Sequence, residues 1–266
     1  MLKNLTIGQH YPVDSVIHDL DPRVKIMITM FYIVSLFLIN QFLAYILVVA
    51  FLGLIIGLSK VPIKMVIRGI RPILVIIAIT FFINLLMTPG EIIYELGPFN
   101  ITREGIRQAG FMAIRLVLLI IGTSMLTLTT SPILLTDGIE SLLNPFKKIG
   151  LPAHELAMMM TIALRFIPTL MEETEKIMKA QKARGADFES GNLIRRAKSL
   201  VPLLVPLFVS AFRRADELAM AMEARCYRGG DHRTRMRALR IIKIDYMAMM
   251  IASIYFATVI ASRVYF

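Results

Sequence analysis

From Val24 to Leu58 the chain is almost uninterrupted apolar sequence, broken only at Asn40-Gln41. One helix of that length would reach about 50 Å at ~1.5 Å per residue, against a hydrocarbon core of about 30 Å. The pattern therefore predicts two short spans that turn at Asn40-Gln41. A basic loop follows, with Lys60, Lys64, Arg68 and Arg71, and a third apolar block covers 73–88. The next loop carries Glu91 and Glu95 and the breakers Pro89-Gly90 and Gly97-Pro98, with no Lys or Arg before Arg103. A fourth block covers 106–129 with Arg115 inside it, and a last one covers 246–262. Blocks rather than an amphipathic period are what a bilayer requires of a helix. The reading is an all-α polytopic integral membrane protein with about five transmembrane helices.

Between 131 and 243 the pattern changes. Charges return, 19 of the 30 basic residues among them, and the apolar positions between them take helical spacing. Three helices are predicted. One begins after Pro152, and Pro168 kinks or divides it from a second that ends near Gly185. There Glu172–Lys176 and Glu175–Lys179 are i,i+4 pairs in the favourable order, as on a helix that meets water. The third runs from Asn192 to Arg225, kinked around Pro202 and Pro206. Its first half is apolar and its second half amphipathic. Four regions result: an N-terminal segment 1–23, four spans in 24–130, long interfacial or cytoplasmic helices in 131–243, and a final span in 244–266.

Composition adds to this. Of 266 residues 56% are hydrophobic and 18% charged, where soluble domains carry about 25% charged residues. The net charge of +11 lies in the loops, as the positive-inside bias would have it. It sets the N-terminus and the 131–243 region inside and, after five crossings, the C-terminus outside. Nucleic acid is excluded as a partner, since no basic stretch is interleaved with stacking aromatics and Trp is absent. Cys226 is the sole cysteine, which rules out an internal disulfide and a cysteine metal cluster. The first twenty residues are polar and mixed, so no cleaved signal peptide is expected.

One signature occurs twice. Ala180, Ala183 and Arg184, followed by Gly185, align with Ala221, Ala224 and Arg225, followed by Cys226, at a spacing of 41. Arg in a last helical turn offsets the macrodipole by roughly 0.3–1 kcal/mol, which is the capping reading. The repeat also includes small residues that keep each tip slim. Two equivalent tips suit a partner with two equivalent sockets, where fixed guanidinium groups meet carboxylates. With Cys in place of Gly, a simple glycine-type ending at Cys226 is in doubt, and Gly229-Gly230 could end that helix later.

Two such Ala-Arg tips, together with "SVIHDLDPRVK" at Ser15–Lys25, resemble the transmembrane T component of energy-coupling factor transporters, ATP-driven micronutrient importers, over essentially the whole chain. In that stretch Asp21-Pro22 reads as an N-cap followed by N1. The resemblance implies that Ala183-Arg184-Gly185 and Ala224-Arg225-Cys226 dock on two ATPase subunits, identical or different. It also implies a substrate-binding membrane S component, with several in exchange. ATP and Mg would then belong to the ATPase chains, with no cofactor, metal or catalytic residue on this one. No G-x-x-x-x-G-K-[ST] occurs, in keeping with that.

Other features are weaker. "HELAM" at His154 lacks the second His of a zinc-protease helix, and His10, His18 and His232 lie far apart in sequence. Arg115 is expected to hold a structural partner inside the bundle, and Asn84 to hydrogen-bond a neighbouring helix. The methionines at 158–160, 171, 178, 220 and 222 fit either core filling or a repackable partner surface. Two alternatives stand: a dedicated cobalt- or nickel-type importer subunit, and a stand-alone membrane enzyme or secondary transporter. The latter would need converging polar groups at mid-membrane, and Arg115 and Asn84 are the only candidates.

Overall fold

A computed structural model describes residues 10–96, 99–150, 152–188, 192–229 and 238–265. Its helices are α1 (Val16–Asp19), α2 (Pro22–Leu38), α3 (Phe42–Ser59), α4 (Ile63–Ile70), α5 (Leu74–Met87), α6 (Arg103–Thr129), α7 (Pro132–Leu143), α8 (Ala153–Ala183), α9 (Leu193–Ala224) and α10 (Lys243–Tyr265). Two strands, β1 (Ile92–Leu96) and β2 (Phe99–Thr102), lie between α5 and α6. The described residues form two compact units, one of 10–142 and 238–265 and the other of 143–229.

In the first unit the apolar run breaks where the sequence places it, α2 ending at Leu38 and α3 starting at Phe42. A helix end in a bilayer leaves carbonyls with no water to bond. Arg115 of α6 answers that need. Its Nη2 donates to the Ile39 carbonyl at 2.9 Å, its Nε to the Tyr45 hydroxyl at 3.3 Å, and its guanidinium lies 5.7 Å from the Phe37 ring centre. The structural reading of Arg115 holds. Asn84 differs from expectation: its amide donates to the Thr80 carbonyl of its own helix at 2.8 Å.

Among the described residues, four helices are long and apolar enough to cross a membrane: Phe42–Ser59, Ile63–Met87, Arg103–Thr129 and Lys243–Arg263. The first expected span, α2, has 17 residues, and its first turn holds Arg23 and Lys25. α2, α3, α6 and α10 share a core of Tyr32, Leu36, Val48, Leu118 and Val259. Polar bonds thread it, Tyr32 donating to the Leu118 carbonyl at 2.7 Å and Ser35 meeting the Tyr255 hydroxyl at 2.8 Å. Such interhelical bonds are worth about 0.6 kcal/mol each in lipid, and they also fix register. Gly122 is required here, because a Cβ would run into the Tyr32 ring.

The acidic loop after α5 is a hairpin rather than irregular chain. β1 pairs antiparallel with β2, Ile92 opposite Thr102. Gly97-Pro98, expected there as breakers, lie outside the described residues. Thr102 then caps α6, accepting from Gly105 N–H at 3.0 Å.

The second unit corrects the count of three helices to two. α8 runs unbroken for 31 residues through Pro168, and α9 for 32 through Pro202 and Pro206. Each proline removes one intrahelical bond. The long turns on either side, in contact across the pair, hold both helices together without it.

Candidate functional site

The two Ala-Arg signatures sit at the C-terminal ends of α8 and α9. At the first, Arg184 is the C-cap and Gly185 takes a left-handed φ of 87°. Gly185 N–H donates to the Lys182 carbonyl at 3.0 Å and Ala186 N–H to the Gln181 carbonyl at 3.0 Å. That pair of bonds is a Schellman ending. At the second, Arg225 is the C-cap and Cys226 has a φ of 55°. Cys226 N–H donates to Glu223 at 2.8 Å and Tyr227 N–H to Met222 at 3.0 Å. The two ends match bond for bond. The doubt raised by cysteine is therefore resolved: the helix stops at Ala224, with Gly229 beyond it and Gly230 outside the described residues. A left-handed non-glycine residue costs about 1–2 kcal/mol. The second tip keeps its shape against that cost.

This geometry bears on the capping reading. The carbonyls of Gln181 and Lys182 at the first tip, and of Met222 and Glu223 at the second, are taken by backbone N–H groups. Ala183, Arg184, Gly185, Ala224, Arg225 and Cys226 are all exposed. Among the described residues, neither guanidinium has a hydrogen-bond or ion-pair partner. What remains for capping is the macrodipole alone, and two guanidinium groups stay available to another surface.

A contact the sequence reading missed relates the tips to each other. Arg214 Nη2 of α9 lies 3.5 Å from Glu173 Oε2 of α8, at a separation of 41. That is the offset of the repeat itself, so Glu173 and Arg214 each precede their arginine by 11 residues. The pair joins the two helices at equivalent positions of the repeat, and each tip lies about 16 Å further along its own helix at ~1.5 Å per residue. The numerical coincidence was present in the sequence, but only the crossing gives it meaning.

The stretch at Ser15–Lys25 builds a polar knot. Asp21 caps α2, accepting from Arg23 N–H at 2.9 Å, and pairs with the Arg23 guanidinium at 2.8 Å. Burial works to raise the Asp21 carboxyl, but the hydrogen bonds and charge of Arg23 outweigh it and hold it below the ordinary carboxylate value. Lys25 Nζ donates to the carbonyls of His18 at 2.9 Å and Thr129 at 3.0 Å. Asp245 of α10, 1% exposed, accepts from Asp21 N–H at 2.8 Å and Ile242 N–H at 2.7 Å. Asp245 was overlooked in the sequence; a carboxylate opening an apolar run was its signal. The knot ties α1, α2, α6 and α10 together at one end of the bundle, a structural duty.

No three His, Cys, Asp or Glu side chains gather as a metal site among the described residues. His232 lies outside them. Of the methionines singled out, Met159, Met160 and Met220 are exposed.

The family CbiQ, described as "Cobalt transport protein", matches residues 14–236. A Thermosediminibacter oceani protein named "Energy-coupling factor transporter transmembrane protein EcfT" is 60% identical over 262 residues, 98% of this chain and 99% of its own. A Clostridium kluyveri protein of the same name is 60% identical over 267 residues, 100% of this chain and 99% of its own. One from Bacillus subtilis is 51% identical over 240 residues, 90% and 91% of the two chains.

Proposed function

The chain belongs to the family of transmembrane proteins of energy-coupling factor transporters, and from that premise we propose that it is the mechanical link between an ATPase pair and a substrate-binding membrane subunit. The observation that carries this is the matched pair of free arginine tips on equal arms of two crossed helices. Arms of equal length suit a two-fold or near two-fold partner, one socket per tip. Arg184 and Arg225 would each enter a carboxylate-bearing groove on one ATPase chain, with Ala183, Gly185, Ala224 and Cys226 leaving room for close approach. ATP and Mg would be held by those chains, and no bond would be made or broken on this one.

When the ATPases close, the tips move together. Levers that pivot at Glu173–Arg214 transmit the motion to the other arms. The first half of α9 is well suited to receive it, since Val201, Leu204, Val205 and Phe208 are exposed and apolar. That surface is the proposed seat of the S component. Met159, Met160 and Met220, being easily repacked, allow different S components in turn. The cargo is a micronutrient bound by the S component, a vitamin in this reading. A cobalt-type ion is the second reading, favoured by the family description "Cobalt transport protein". Identification of the cargo that co-purifies with the S component separates the two.

The test is co-purification of the tagged chain with its ATPase pair. Wild type is expected to retain both, and Arg184→Glu with Arg225→Glu to lose them, by about tenfold or more for two buried charge contacts reversed. Retention by the double variant would reduce the arginines to dipole caps.

A further inference from the structure

α4 and α5 form one 25-residue apolar span, Ile63–Met87, and no part of its most apolar stretch is buried inside the protein. Its first two turns carry three distinct faces. Val66, 2% exposed, and Gly69 pack on α6, where a Cβ at Gly69 would lie 3.0 Å from Ser124 Oγ. Ile63 and Ile67, at i and i+4, form an exposed apolar row, and Leu74, also exposed, follows the tighter 3-10 turn Arg71–Ile73. Lys64, Arg68 and Arg71, at i, i+4 and i+7, form an exposed basic row roughly 90° around the helix from it at ~100° per residue. None of the three cations has a hydrogen-bond or ion-pair partner among the described residues. Nearby, Lys60 donates to the Asp14 carbonyl at 3.4 Å.

We propose that this face is a binding site for an anionic phospholipid, its phosphodiester held by Lys64, Arg68 and Arg71 and an acyl chain lying along Ile67 and Leu74. Three points select that ligand. The basic row extends about 10 Å along the helix axis, enough to cross a headgroup zone of about 5–8 Å on one side of a hydrocarbon core of about 30 Å. It stands at the end of a span whose following turns are apolar, with Leu74, Val75, Ile76 and Ile79 all exposed. Unpaired cations beside an apolar face complement a ligand that is anionic at one end and aliphatic at the other. A soluble anion would leave the apolar row uncovered, and an apolar protein surface would leave three charges unpaired. The inference depends on the membrane-spanning character of the chain and is independent of the coupling function proposed above.

The test uses the full chain reconstituted in vesicles of equal parts phosphatidylcholine and phosphatidylglycerol, extracted in mild detergent, with the retained lipid counted by native mass spectrometry. Wild type is expected to retain phosphatidylglycerol well above its bulk share. Lys64→Gln, Arg68→Gln and Arg71→Gln together lower that retention by about tenfold or more, since each surface cation contributes severalfold. Arg103→Gln with Arg107→Gln, at the other end of α6, leaves it unchanged. Should the triple variant not fold, wild type decides alone, through loss of the enrichment at high salt. Retention at the bulk ratio in wild type, or equal loss in both variants, overturns the proposal. Enrichment in neither, with the row protected only in the assembled transporter, assigns the face to a protein subunit instead.

Discussion

Cys226 occupies the position that Gly185 holds at the other tip, and it does so in a conformation that disfavours any side chain. Glycine there loses no hydrogen bond and removes the strain. Cys226→Gly is therefore expected to stabilise the second tip by about 1 kcal/mol. The gain is local, so amide exchange reads it best. Tyr227 N–H, bonded to Met222, should exchange about fivefold more slowly in the variant. Unchanged or faster exchange would show that the left-handed residue is not where strain resides. Arg115 teaches a second lesson at this scale. Its presence in an apolar run was legible, and a structural role was the expected one. Its partner was not legible, because the Ile39 carbonyl becomes needy only once the first two spans are known to turn there.

At the scale of elements, the apolar blocks and their breaks were readable because lipid imposes one solution per block. The turn at Asn40-Gln41, the ends of α8 and α9 and the cap at Asp21 all follow from local rules. Elements that depend on distant partners were not readable. Pro168 reads as a divider in isolation, yet α8 continues through it because α9 lies alongside. The hairpin after α5 hides behind turn residues, and the Asp21 N–H at the start of α2 finds its acceptor in Asp245, more than two hundred positions away. The crossing of α8 and α9 belongs to this class too. Its ion pair is half-exposed, so its contribution to stability is small, roughly 0–1 kcal/mol. Its role is register. Glu173→Arg or Arg214→Glu alone places like charges at the pivot and should uncouple ATP hydrolysis from uptake in the assembled transporter severalfold. The swap of both restores the pair and should restore coupling. Equal coupling in the single variants would leave the pivot to the apolar contacts around it.

For the whole molecule, the sole cysteine offers a reading of both sidedness and docking without any substitution. Cys226 is exposed and lies at the second tip, next to Arg225. If the positive-inside distribution sets the orientation proposed here, a membrane-impermeant maleimide should label the chain in inside-out vesicles and not in right-side-out ones. Addition of the ATPase pair should then block labelling, because a thiol beside a docked guanidinium is covered by the same groove. The two outcomes are separable. Labelling from the outside would invert the topology and with it the site of the ATPases. Labelling from the inside that persists with saturating ATPase would keep the topology but move the docking surface off the second tip. The first tip would then act alone, and an asymmetric lever would replace the equal-armed one. Protection that follows ATPase binding, and is lost with Arg225→Glu, ties the residue, the helix end and the crossed pair into one mechanical path.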